Sequence, residues 1–135
     1  MAYMEHPKVF TDDYNIPESG NGVPDLLDEV KWGMDWVLRM QEDDGSVLCI
    51  QSLKHASPPS AATGQSVYGP ATTMSGYSAA KAFILGYKVF GDLGMAAYAD
   101  TLKNAATAAW KWAEEHPDVL FKNNDSASGT SGVGA

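Results

Sequence analysis

Residues 15–41 read NIPESGNGVPDLLDEVKWGMDWVLRMQ, and this stretch decides the fold. Its first half, Asn15 to Gly22, is rich in proline and glycine and reads as a turn. Its second half predicts a helix from about Pro24 to Gln41. Proline near the first helical position has its φ already set and no N–H to leave unpaired. Asp25, Asp28 and Glu29 then fall in the N-terminal turns, where the helix dipole favours negative charge. Leu26, Val30, Val37 and Met40 recur at helical spacing on one stripe, widened by Leu27, Met34 and Leu38. Lys31, Asp35 and Arg39 stand four apart on the opposite side, where they can pair along the surface. Trp32 and Trp36 lie away from the aliphatic stripe, so this helix carries apolar side chains on two faces. Such a helix belongs in a layered helical array.

Working outward, residues 1–22 predict a turn-rich lead-in loop and residues 23–122 the helical part. Glu42 to Gly45 forms a turn, and Val47 to Ile50 a short extended segment. Residues 55–70 read as one long loop, of a length that is commonly functional. A second helix is expected from about Ala71 to Phe90, capped at Gly91, with Ser75, Gly76, Ala79, Ala80, Ala82 and Gly86 letting a neighbouring backbone come close. The link Gly91 to Gly94 is short enough to make the third helix, about Met95 to Glu115, its antiparallel neighbour. Pro117 stops that helix, and residues 123–135 read as a flexible Ser/Gly/Asn-rich tail. The expected class is all-α, with about three long helices and one long loop. Apolar residues on several helix faces, an abrupt start and a polar tail together predict a piece of a larger domain.

Composition bounds the function. The chain has 135 residues and a net charge of −8, which repels phosphate backbones and argues against nucleic acid as a partner. A neutral polymer meets no such barrier. No apolar run is long enough to span a bilayer, so no membrane partner is expected. Met1 to His6 lacks the basic start and apolar core of a signal peptide. The single cysteine, Cys49, reads as a small apolar residue, and no Cys/His spacing marks a zinc site. An EF-hand beginning at Asp13 fails because Glu18 occupies the position that requires glycine. Asn124-Asp125-Ser126 forms an N-glycosylation triplet.

The run from Glu18 to Gln41, followed by Asp44-Gly45-Ser46-Val47, closely resembles a signature of glycoside hydrolase family 9. Ser57 to Thr73 and the Ala-rich helices ending in Ala109-Trp110 are similar to the stretches that follow it there. The resemblance covers nearly the whole chain. It implies part of an (α/α)6 toroid and hydrolysis of β-1,4-glucan with inversion, in an extracellular enzyme. Inversion needs two carboxyl groups about 6.5–9.5 Å apart, an acid and a base for water. In the family the base belongs to an upstream Asp-Ala-Gly-Asp motif and the acid is a Glu near the C-terminal end. Neither occurs here, so no catalytic residue is assigned, and the chain by itself is expected to be inactive.

Asp25, Asp28, Glu29 and Asp35 share one helix and do not easily place two carboxylates across a sugar bond. Tyr68 and His55 are the candidate substrate-binding residues, both in the long loop. Trp32, Trp36, Tyr77, Trp110 and Trp112 are of the type that stacks on sugars, although helical spacing makes most of them core residues. Some relatives bind a structural calcium near the corresponding turn, and Ser19, Gly20, Asp25 and Glu29 offer hard oxygen ligands for one. No other cofactor is implied. Two further readings stay open: a non-catalytic helical binding or scaffold module, and a toroid hydrolase acting on mannan or xylan.

Overall fold

A computed structural model of the chain describes residues 2–53, 60 and 64–121. Among the described residues, four helices carry the structure: α1 (Ala2–Glu5), α2 (Asp25–Arg39), α3 (Thr73–Asp92) and α4 (Ala96–Glu115). A 3-10 turn, Pro7–Val9, follows α1. Strands β1 (Gln51–Leu53) and β2 (Ser66–Tyr68) form a two-stranded antiparallel hairpin with Gln51 opposite Tyr68. The all-α expectation holds, and the three long helices fall where their periodicity places them.

Helix α2 starts one residue after Pro24 and ends at Arg39, because the Met40 N–H already closes on Val37 and Leu38. Its buried side is centred on Leu27, Met34 and Met40, so two of the three residues expected to widen the stripe in fact lead it, while Leu38 stays half-buried. Leu26, Val30 and Val37 are only half-buried. The stripe rotates because Met34 packs beneath α3, its methyl 3.0 Å from where a Cβ on Gly86 would stand.

Helix α3 begins two residues later than the sequence predicts. Thr72 is its cap: the Thr72 hydroxyl accepts from the Ser75 N–H, and the Ser75 hydroxyl accepts from the Thr72 N–H, each at 3.0 Å. At the other end, Gly91 does not stop the helix. The chain continues to Asp92, and Gly94 takes the left-handed turn with φ +82°. The Met95 N–H reaches the Phe90 carbonyl at 2.9 Å and the Gly94 N–H reaches Gly91 at 2.9 Å, the paired bonds of a Schellman ending. Glycine at position 94 is preferred because a side chain resists positive φ.

The turn brings α4 back antiparallel to α3, and these two helices form the main packing unit. Small residues set their separation. A Cβ on Gly76 would lie 3.1 Å from the Ala113 methyl, and one on Gly86 would lie 2.8 Å from a Leu102 methyl. Phe83, Phe90, Leu27 and Leu102 are fully buried at the centre. Asp35 ties α2 to α4, accepting from the Tyr98 hydroxyl at 2.7 Å and from Lys31 at 2.7 Å. Gln41 adds a second tie, donating its amide to the Ala105 carbonyl at 3.0 Å.

Of the residues expected in the long loop, Ser66–Tyr68 pair instead as β2, and 55–59 and 61–63 lie outside the described residues. The segment Val47 to Ile50 joins by single bridges, Val47 to Gln41 and Leu48 to Ala71. The tail expected over 123–135 lies outside the described residues.

Candidate functional site

Two groups of side chains stand out. One is a carboxylate cluster at the turn before α2. Carboxylate oxygens of Asp12, Asp25 and Asp28 all lie within 4.8 Å of one another. The loop builds the cluster from its own donors. Asp12 accepts from the N–H groups of Gly20 and Gly22, both at 2.7 Å. Asp25 accepts through Oδ2 from the Tyr14 N–H at 2.6 Å and from the Ser19 hydroxyl at 2.7 Å. Asp28 accepts from the Asn21 side-chain amide at 3.1 and 3.2 Å. The Gly22 N–H, outweighing a smaller effect of burial, and with help from Gly20, holds the Asp12 carboxyl below its usual range.

One oxygen of the cluster is left over. Asp25 is only 2% exposed, and its Oδ1 has no hydrogen-bond partner. A buried carboxylate oxygen without a donor is costly, and a hard cation is one group that can satisfy it. The donor set is all carboxylate oxygen, which fits calcium and not a soft transition metal. Of the four residues expected as ligands, Asp25 is in the cluster. Ser19 and Gly20 surround it as hydrogen-bond donors, and Glu29 is exposed outside it. Asp12 and Asp28 were not among the expected ligands. Asp28 is legible in the sequence only as a helix-dipole residue, and Asp12 lies 13 positions upstream of Asp25, a distance only the folded loop closes.

This cluster is no acid–base pair for inversion. Its carboxylates are closer than the roughly 6.5–9.5 Å that leaves room for a water, and each of them already accepts hydrogen bonds from the turn.

The second group is aromatic. Tyr68, an expected substrate residue, is 53% exposed at the end of β2. His55, the other, lies outside the described residues. Opposite Tyr68 stands Gln51, whose side-chain oxygen accepts the Trp36 indole N–H at 2.9 Å. Trp32, one turn earlier on α2, is 73% exposed. Trp110 is also half in solvent and packs edge-on against Tyr77 at 4.9 Å between ring centres. Trp112 is buried and stacks on His116 at 4.3 Å, so it belongs to the core. Cys49 is half-buried, and burial pushes its thiol up, away from the reactive thiolate form. No helix among the described residues is long and apolar enough to cross a membrane.

Comparison with known proteins identifies the family of the chain. Residues 1–133 match the family model of glycosyl hydrolase family 9. The chain is 31% identical over 132 residues to a cellodextrinase of Butyrivibrio fibrisolvens, covering 96% of this chain and 23% of that protein. It is 29% identical over 116 residues to a xyloglucan-specific endo-β-1,4-glucanase of Bacteroides ovatus, covering 82% of this chain and 20% of that protein. Its structure superposes on a metagenome-derived family 9 endoglucanase with a TM-score of 0.84 and 32% identity, over 97% of this chain and 24% of that one. The chain thus spans about a quarter or less of the length of these relatives. With the fold, the signature run and the family model in agreement, the chain belongs to glycosyl hydrolase family 9.

Proposed function

We propose that this chain forms part of the catalytic domain of a secreted, inverting hydrolase of β-1,4-glucan. The observation that carries the reading is the superposition of nearly the whole chain on a family 9 endoglucanase. The helical hairpin α3–α4 supplies wall to the toroid, and the segment between α2 and α3 supplies a loop with Tyr68 facing the polymer. The acid and base come from other parts of the enzyme. A protein containing this chain should release reducing sugar from carboxymethylcellulose and mixed-linkage glucan. Activity confined to xylan or mannan, or none on any of them, sinks the reading. The 135-residue chain alone should release none, and hydrolysis by the pure chain would overturn the assignment of its catalytic groups elsewhere.

The carboxylate cluster supports a second, structural element. We propose that Asp12, Asp25 and Asp28 hold a calcium ion that locks the turn onto the start of α2. The unpartnered Asp25 oxygen supports this. Millimolar calcium should raise the melting temperature over that in EGTA, and Asp25→Asn should abolish the rise. An equal rise in the variant would count against the site.

A further inference from the structure

We propose that Asn21–Gly22 is a latent deamidation site, held unreactive by the hydrogen bonds of the turn before α2 and released when that turn opens. It is the one Asn-Gly step in the chain. Asparagine is a thermally labile residue, and a following glycine leaves the next backbone nitrogen unhindered. In an open chain the Gly22 nitrogen gives up its proton to a base and bonds to the Asn21 Cγ. The Cγ–Nδ2 bond breaks, and the amide nitrogen takes up a proton and leaves as ammonia. Water then opens the succinimide at either carbonyl, giving aspartate or isoaspartate.

The folded turn opposes this at each stage. The Gly22 N–H donates to Asp12 Oδ2 at 2.7 Å. A lone pair left by deprotonation would point along that bond, at a carboxylate, whereas attack needs the orbital aimed at Cγ. The Asn21 side chain is pinned at both ends. Its Oδ1 accepts from the Val23 N–H at 2.7 Å, and its Nδ2 donates to both oxygens of Asp28 at 3.1 and 3.2 Å. Turning Cγ toward the Gly22 nitrogen breaks these bonds. The amide anion and the tetrahedral intermediate are also negative, and they would form beside Asp12, Asp25 and Asp28, whose charges repel them. Every one of these groups lies between residues 12 and 28. The guard is therefore local and does not depend on what surrounds the chain in a longer protein.

Reaction is one-way. Aspartate at position 21 sets a carboxylate where the Asn21 amide now donates to Asp28. Isoaspartate adds a backbone carbon between residues 21 and 22, which spoils the register of the Gly20 and Gly22 N–H groups on Asp12. A turn that has reacted does not close again, so the site records past opening.

The test is to incubate the full 135-residue chain and a synthetic peptide of residues 16–27 at mildly alkaline pH. EGTA keeps the result independent of the calcium ion proposed above. Mass gain and isoaspartate content at Asn21 are followed in the tryptic fragment. Asn21 should react at least about tenfold slower in the chain than in the peptide, because only a locally opened minority reacts. Asp28→Ala and Asp12→Ala should each raise the rate several-fold with the helical circular dichroism signal kept, and Asp12 lies outside the helices. Thr72→Ala, which weakens the cap of α3 and not this turn, should leave the rate unchanged. Asn21→Asp should melt below the parent chain. Equal rates in chain and peptide, a faster rate in the chain, no acceleration in either aspartate variant, or an equal acceleration in Thr72→Ala each overturns the guard. An Asn21→Asp melt equal to that of the parent overturns its one-way character.

Discussion

Gly45 and Gly94 both take the left-handed conformation, with φ +92° and +82°, yet they differ in what surrounds them. A Cβ at Gly94 meets nothing within 4 Å, whereas one at Gly45 would lie 2.7 Å from the Ala108 backbone oxygen. Backbone in the neighbouring helix cannot give way as a side chain can. Gly94→Ala should therefore cost only the strain of positive φ, about 1 kcal/mol. Gly45→Ala should cost that and about 1–3 kcal/mol more from overpacking. Urea melts of the two variants measure the difference, and equal midpoints would refute it. The Asp-Gly-Ser turn at residues 44–46 is visible in the sequence, but its contact with α4 is not, because the partner is 63 residues away.

Among elements, the cap of α3 is the clearest case of local chemistry setting a boundary. Thr72→Ala removes the hydroxyl that receives the Ser75 N–H and should cost about 0.5–2 kcal/mol, read from thermal or urea unfolding. Ser75 also donates to the Val47 carbonyl at 2.6 Å, so the cap secures the segment after α2 as well. The Asp35 contact between α2 and α4 has a pH signature. Burial pushes its carboxyl up, but hydrogen bonds from Lys31 and Tyr98 and the nearby positive charges bring it below the usual range. The unfolded chain then takes up the proton first, so acid favours unfolding. The stabilisation is present above the ordinary carboxylate value of 3.8 and is lost as pH falls through the lowered folded value. Asp12, held low mainly by Gly22, has the same sign. The melting temperature should decline between about pH 5 and pH 2, and Asp35→Asn should flatten part of that decline. A decline identical in the variant would exclude Asp35 as a source. Periodicity and glycine spacing make the helical hairpin legible in the sequence. The strands β1 and β2 are not legible there, since three residues each are too few to display alternation.

At the scale of the molecule, α3 and α4 bury one seam and leave another open. Ile84 and Trp110 remain exposed on the far side of the hairpin, and Met74 and Leu120 are exposed near its other end. Apolar surface left in water contributes nothing to stability. The 135-residue chain should therefore melt lower than a longer family member that covers these faces, and below about 60 °C. Calorimetry of the two side by side tests this, and a sharp transition well above that temperature in the short chain would contradict it.

By itself, the sequence determined the family and the three long helices. It did so through local properties: a long specific run from Glu18 to Gln41, helical periodicity, breakers at Pro24 and Pro117, and the glycine-containing link from Gly91 to Gly94. Tertiary structure alone decided which face of α2 is buried and which aromatic rings face water. It also brought Asp12 to Asp25 and joined Trp36 to Gln51 and Tyr68. The physical reason is separation along the chain. Periodicity and capping act within a few residues, while the carboxylate cluster and the Trp36–Gln51–Tyr68 contacts need partners 13 to 17 positions apart, which meet only once the loops have closed.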